Sequence, residues 1–168
     1  MDREMKRRTL LGALGAAGIA AASGTFTLGA LVLGGARRAA AQALGRNEPL
    51  DAALARVFGG RPMKDGGATI KLDVPLIAEN GAVVPVAVEV NAPMTPQSYV
   101  KHIYIVADKN RIPIVTRVAL TPESGAAYMS ANIRLGETTD VRAVVEQSDG
   151  TLLAVKREVK VTVGGCGG

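Results

Sequence analysis

The stretch Val141-Arg-Ala-Val-Val-Glu-Gln-Ser-Asp-Gly-Thr-Leu-Leu-Ala-Val-Lys-Arg-Glu-Val-Lys-Val-Thr-Val163 contains two strand-like segments joined by a short turn. Both segments are rich in valine, which is frequent in β-strands. Ser148-Asp149-Gly150 lies between them, and its glycine supplies the positive φ that hairpin turns often need. The stretch therefore predicts a β-hairpin with strands over residues 141–147 and 151–163.

Upstream of the hairpin, apolar residues recur at every second position, the period of a half-buried strand. Ile70, Leu72 and Val74 follow this pattern, and Val84 to Val90 repeats it. Further strands are predicted over 100–107, 114–120 and 127–135, with turns at Asn80-Gly81 and Asp108-Lys109-Asn110. About seven short strands with frequent turns predict an all-β fold, an immunoglobulin-like antiparallel β-sandwich.

One helix is predicted before the first strand, over residues 47–60. Asn47 or Glu48 is expected to cap it, Pro49 suits its first turn, and Gly59-Gly60 end it. Its apolar residues share one face: Leu50, Leu54, Val57 and Phe58. This face is expected to pack on a sheet.

Downstream, the hairpin runs into Gly164-Gly165-Cys166-Gly167-Gly168, which contains the only cysteine of the 168 residues. Glycine leaves the backbone on both sides of Cys166 unrestricted, and such a segment is costly to order alone. Two extended residues after Val163 place the sulfur on the order of 10 Å beyond the last strand. We predict a flexible arm that presents a single thiol to another protein.

The beginning of the chain is typical of an export signal. Arg7 and Arg8 precede Thr9-Leu10-Leu11 and a charge-free, Ala/Gly-rich run that continues to Ala36. Ala41-Gln42-Ala43 fits a cleavage site and predicts a mature chain that starts at Leu44 in the periplasm, after export by the twin-arginine route. An uncharged run of this length is also long enough to be retained as a membrane anchor.

Charge argues against a polyanion-binding protein. The formal net charge is +5, but residues 1–43 hold six Lys/Arg against two acids, and residues 44–168 hold fourteen against thirteen. Trp is absent and only five residues are aromatic, so base-stacking platforms are also missing from the sequence. No nucleic-acid partner is expected.

The sequence contains no recognisable catalytic or metal site. His102 is the only histidine, and its β-patterned surroundings favour a hydrogen-bonded sheet residue over a general base. The acidic residues do not form a paired-carboxylate motif, and a zinc site lacks the ligands it would need. We predict neither catalytic residues nor a metal.

Several of these stretches resemble the SoxY family, the sulfur-carrier subunit of the periplasmic thiosulfate-oxidising Sox complex. They are Lys156 to Gly168, Ile77 to Val86, His102 to Asn110 and Ser148 to Gly150, which span most of the chain from about residue 48. The resemblance implies that Cys166 is the attachment point of the substrate and that Gly164, Gly165, Gly167 and Gly168 form the carrier arm. The chain then divides into a signal peptide (1–43), a β-sandwich domain (44–163) and an arm (164–168).

The resemblance also implies the partners of the protein. SoxY-like proteins form a heterodimer with SoxZ, a second β-sandwich. The transient partners would be SoxAX, a haem enzyme that joins thiosulfate oxidatively to the carrier cysteine, SoxB, a hydrolase that releases sulfate, and SoxCD, a sulfane dehydrogenase. The carrier would hold no cofactor other than covalently bound sulfur or thiosulfate-derived species on Cys166.

Three alternatives stay open at this point. A thiol enzyme would pair Cys166 with His102 through a hydrogen bond of about 2.6–3.2 Å. A secreted β-sandwich scaffold would use Cys166 only for an intermolecular disulfide. Activation of the terminal Gly167-Gly168 carboxylate, as in ubiquitin-like sulfur carriers, would need ATP and a cytosolic partner, which the export signal argues against.

Overall fold

The structure is a computed structural model that describes residues 44–165. It contains helix α1 (Leu50–Phe58) and a 3₁₀ turn (Pro122–Ser124). Its nine described strands are β1 (Met63–Asp65), β2 (Ile70–Asp73), β3 (Ile77–Ala78), β4 (Val84–Val90), β5 (Val100–Ala107), β6 (Ile114–Ala119), β7 (Ala127–Ile133), β8 (Thr139–Gln147) and β9 (Leu152–Val161). All seven predicted strands are present, so the prediction of an all-β fold is confirmed.

The strands form two sheets that face each other. One sheet has the order β1-β9-β8-β5-β6, with β3 also paired to β9, and the other has the order β2-β4-β7. Pairing is antiparallel except where β1 and β3 join β9 in parallel. The predicted hairpin is confirmed: β8 and β9 pair antiparallel, and Gly150 in the turn has φ 85°. The architecture is that of an immunoglobulin-like β-sandwich.

Two apolar clusters hold these layers together. The larger lies between the sheets and includes Val88 of β4, Ile103 of β5 and Val145 of β8, all fully buried. The smaller lies on the outer side of the larger sheet, where Phe58 of α1 packs edge-on against Tyr104 with ring centroids 5.0 Å apart. Because α1 covers this side, β5 is buried on both faces from Ile103 to Ala107.

Two local predictions differ from the structure. Pro49 itself occupies the N-cap position of α1 and no side chain caps the helix, while Glu48 instead forms an ion pair with Arg56 in the helix. The predicted C-terminal end is correct, since Gly59 adopts φ 64° there. Strands β1 and β3 were not predicted, because three and two residues are too few to show a period.

Candidate functional site

The last described residues follow β9 and run between two loops, one that joins β3 to β4 and one that joins β7 to β8. The amide of Gly81 donates to the carbonyl of Val163 (2.7 Å), and the amide of Leu135 donates to the carbonyl of Gly81 (2.7 Å). The amide of Gly165 then donates to the carbonyl of Leu135 (2.9 Å). We call these backbone groups, together with Gly136 and Gly164, the arm clamp.

Glycine is required in the arm clamp for space. A Cβ on Gly81 would lie 2.2 Å from the carbonyl oxygen of Leu135 and 2.8 Å from the nitrogen of Gly165. A Cβ on Gly164 would lie 2.2 Å from the oxygen of Gly136, and one on Gly165 would lie 2.6 Å from the oxygen of Gly81. None of these three glycines has a positive φ. The three segments therefore approach one another at distances that only glycine permits.

Polar side chains fix the two loops of the arm clamp. The buried side chain of Asn110 donates to the carbonyl of Arg134 (2.7 Å) and accepts a hydrogen bond from the amide of Gly136 (3.3 Å). The side chain of Asn80 accepts from the amide of Ala82 (2.8 Å) and so closes the turn around Gly81. The loops are thus held by contacts that do not involve the arm.

The arm clamp corrects one expectation about Gly164 and Gly165. The sequence suggested that both belong to a segment without contacts, yet Gly165 is buried and hydrogen-bonded to the domain. Glycines that pack against other backbone segments are held in one conformation, although a glycine-rich sequence predicts a flexible backbone. Cys166, Gly167 and Gly168 lie outside the described residues, as do Arg7 and Arg8.

A second polar site surrounds Glu146, near the start of β9. Its carboxylate accepts hydrogen bonds from Arg61 (2.9 Å) and from the hydroxyl of Tyr104 (3.3 Å), and lies 2.9 Å from Nδ1 of His102. The side chain of Glu146 is only 11% exposed, so its charge depends on these partners. We call Arg61, His102, Tyr104 and Glu146 the Glu146 cluster.

The electrostatics of the Glu146 cluster favour an ionised carboxylate. Burial acts to raise the pKa of Glu146, but hydrogen bonds and charge from Arg61 and His102 outweigh burial and hold the pKa below its usual range. Burial and the neighbouring carboxylate raise the pKa of Tyr104. Among the described residues, every buried side-chain nitrogen and oxygen has a hydrogen-bond partner. The cluster is a satisfied structural network.

His102 lies far from the arm clamp. His102 pairs with Glu146 across the sheet, and Glu146 pairs with Leu152 at the start of β9. The arm clamp follows Val161 at the other end of that strand, and nine steps of about 3.3 Å separate the two ends by roughly 30 Å. Since Cys166 directly follows the clamped Gly165, the Cys166–His102 pair of a thiol enzyme does not fit this geometry.

The described part of the chain contains neither a metal-binding group nor a helix that could span a membrane. Residues 44–165 contain no group of three or more His, Cys, Asp and Glu side chains placed to hold a metal ion. Within the same range, α1 and the 3₁₀ turn are both too short to cross a membrane.

Comparison with solved structures finds a relative that is similar in sequence and in fold. The structure of the sulfur carrier protein SoxY from Chlorobium limicola f thiosulfatophilum is 34% identical, with a TM-score of 0.57, and the alignment covers 68% of this chain and 96% of that one. A variant of superoxide reductase (neelaredoxin) from Ignicoccus hospitalis matches with 18% identity and a TM-score of 0.50, over 55% of this chain and 79% of that one. At that identity the second match shows the β-sandwich fold alone.

Comparison of sequences gives the family. No curated protein matches the chain. The model of the family described as sulfur oxidation protein SoxY matches residues 54–166, which is more than half of the chain and ends on Cys166. Together with the 34% identity to the Chlorobium protein, this match shows that the chain belongs to the SoxY family.

Proposed function

We propose that the protein is a covalent carrier of sulfur intermediates on Cys166 during thiosulfate oxidation, and that separate enzymes act on what it carries. The observation that carries this proposal is the family match, which extends to Cys166, the only cysteine of the chain. The related Chlorobium protein is described as a sulfur carrier. Among the described residues, the backbone that leads to Cys166 is held at one defined place by the arm clamp.

The chemistry divides between carrier and partners. In loading, the Cys166 thiol and thiosulfate lose one proton and two electrons as an S–S bond forms between them, and a haem enzyme of the SoxAX class accepts the electrons. Water then attacks the sulfonate sulfur on a hydrolase of the SoxB class, so that sulfate and two protons leave and a persulfide anion stays on Cys166. A sulfane dehydrogenase of the SoxCD class then takes six electrons from the remaining sulfur and passes them to an electron acceptor, while three water molecules supply the oxygens of a cysteine-bound sulfonate and six protons leave.

A free thiol with a pKa near 8.5 is only a few per cent thiolate at neutral pH. Activation of Cys166 is therefore assigned to the pocket of each partner enzyme. The Glu146 cluster supports this division, because the histidine that would serve as a base is engaged with Glu146 at the far end of β9. The carrier then contributes position and bond exchange.

The test is a reconstituted system with thiosulfate and the partner enzymes, followed by intact-mass measurement. Wild-type protein should gain a thiosulfate-derived mass that a reductant removes, and Cys166→Ser should gain none while it keeps the wild-type melting temperature. Wild-type turnover in Cys166→Ser would refute the carrier function. A covalent protein dimer without sulfur adducts would instead favour the disulfide-linked scaffold.

We also propose that the protein acts in the periplasm beside a SoxZ-like subunit, after export by the twin-arginine route. Arg7 and Arg8, followed by the uncharged run to Ala36, support this compartment. Replacing both arginines with lysine should leave the precursor in the cytoplasm. Unchanged export of the double variant would refute the assigned route.

A further inference from the structure

We propose that Gly81 is a positioning residue for the carrier arm, because it binds Val163 directly before the arm and leaves the space in which Gly165 packs. Gly81 thereby fixes the point from which Cys166 departs. The proposal rests on the proposed carrier function and deepens it. Gly81 lies far from the arm in sequence and has no part in the cysteine motif. Its role therefore follows only from the folded arrangement.

The contacts of Gly81 support this role. Both of its backbone polar groups are used in the arm clamp, the amide by Val163 and the carbonyl by Leu135. Its missing side chain leaves the space through which the arm passes, since a Cβ there would lie 2.8 Å from the nitrogen of Gly165. Gly81 therefore binds Val163, the residue that precedes the arm, and makes room for the arm itself.

The clamp shortens the reach of the thiol. Consecutive Cα atoms lie about 3.8 Å apart, so the Cα of Cys166 stays within one such step of the clamped Gly165. An arm free from Gly164 onward would instead let the sulfur sweep on the order of 10 Å beyond the last strand. An enzyme that acts on Cys166 must then approach the domain surface around the clamp.

Holding the arm also favours productive binding. A partner enzyme that receives an unclamped arm must order Gly164 and Gly165 itself, and ordering one residue costs about tenfold in an equilibrium constant. In a clamped arm, Gly164 and Gly165 are already ordered in the folded domain, so the partner enzyme does not have to order them on binding. Loss of the clamp should therefore weaken the encounter with the partner more than the chemical step.

The test compares Gly81→Ala with wild type and with Gly67→Ala. Gly67 is a matched control, because a Cβ there would meet only the Asp65 carboxylate, at 3.5 Å or more, and its φ is not positive. Hydrogen exchange is measured at the amide of Gly165, with the buried strand β5 as the internal reference for folding. We expect exchange at Gly165 to become at least about tenfold faster in Gly81→Ala, with β5 unchanged, and to stay at the wild-type rate in Gly67→Ala.

The functional readout is loading with thiosulfate by a SoxAX-class enzyme. In Gly81→Ala, KM for the carrier should rise at least about tenfold while kcat stays within about twofold, and the reaction of Cys166 with a small disulfide reagent should keep its rate. Unchanged protection at Gly165, or faster exchange with an unchanged KM, would overturn the positioning role.

A second variant covers the case in which Gly81→Ala fails to fold. Gly164 is exposed, and a Cβ there would clash only with the backbone of Gly136, so Gly164→Ala should fold and show the same faster exchange and raised KM. Wild-type values in Gly164→Ala would count against the clamp. The exchange measurement needs no sulfur chemistry, so failure of wild-type loading would refute the carrier function while leaving the exchange result to decide the clamp.

Discussion

The two ends of β9 differ in what they are made of and in what they are expected to do. At its start lies the Glu146 cluster, in which an imidazole, a phenol and a guanidinium lie within hydrogen-bond distance of one carboxylate. Beyond its other end lies the arm clamp, where backbone amides and carbonyls make the contacts and three glycines provide the space. The end with the titratable side chains, the Glu146 cluster, is the end farther from Cys166.

The two ends of β9 show that the polar side chains and the proposed attachment point are separated in this domain. The side chains of the Glu146 cluster satisfy one another and stabilise the contact between α1, β5 and β8. The arm clamp has no reactive group among its described residues, yet it fixes where the next residue, Cys166, begins. Reactive side chains alone are thus a poor guide to the site, because the proposed carrier function requires placement of the thiol and assigns catalysis to the partner enzymes.

The largest effect is expected from Gly165→Val, which acts directly on the clamp. A Cβ at this buried position would lie 2.6 Å from the oxygen of Gly81 and 2.7 Å from the backbone of Ala82. The clash should reduce turnover by partner enzymes at least about tenfold and lower the free energy of unfolding by about 1–3 kcal/mol. Steady-state kinetics measures the turnover and denaturant unfolding measures the free energy of unfolding, with Gly67→Val as the control. Wild-type turnover and stability in Gly165→Val would mean that the arm does not occupy the clamp.

The next effect concerns the opposite end of β9. Glu146→Gln removes the charge that Arg61 and His102 face, and a hydrogen bond to a charged group contributes about 1.5–3 kcal/mol. We expect a loss of stability of that order, measured by denaturant unfolding, with thiosulfate loading unchanged. A loading defect larger than the loss of folded protein would show that the Glu146 cluster takes part in function.

The pH dependence of stability tests the ion pair of the Glu146 cluster separately. The pKa of Glu146 is lower in the folded state than its usual value, so its contribution is present above the unfolded pKa of about 4.3. This contribution is lost as pH falls through the lower folded pKa. Acid unfolding of the wild type should therefore be steeper than that of Glu146→Gln, and parallel curves for the two proteins would contradict the assigned ion pair.

The smallest effect is expected at the rim of the arm clamp. Val83 and Val163 are 60% and 64% exposed there, and a partner pocket that reaches Cys166 must approach them. Val83→Lys should change the free energy of unfolding by less than about 0.5 kcal/mol. It should raise KM for the partner enzymes by about threefold, because a single contact at the rim of an interface contributes little to binding. Tyr128→Lys serves as control, because Tyr128 is 54% exposed and lies at the other end of the smaller sheet. An equal rise in KM for both variants would mean that the rim is not the approach surface.

Much of the fold could be predicted because its signals are local. The alternation in β4 and the Ser148-Asp149-Gly150 turn depend on neighbouring residues, and the structure confirms both. Cys166 could be singled out because it is the only cysteine. The division of the chain into signal, domain and arm stays a prediction, since residues 1–43 and 166–168 lie outside the described part.

The arm clamp could not be predicted, because its parts are distant in sequence. Gly81 was interpreted as a turn residue, and nothing near it indicates that Leu135 and Gly165 pack against its backbone. Asn110 was likewise interpreted as a turn residue, although its buried side chain holds the loop at Gly136. The Glu146 cluster was missed for the same reason, since its members come from segments that are 85 residues apart.

Whether Cys166 carries the sulfur is tested most directly by the intact mass of the protein purified from its native compartment, before and after reduction. Peptide mapping then locates any adduct. We predict reducible sulfur or thiosulfate-derived additions on the peptide that contains Cys166. Unmodified Cys166 in cells actively oxidising thiosulfate, or adducts confined to other residues, would contradict the proposed carrier role of Cys166.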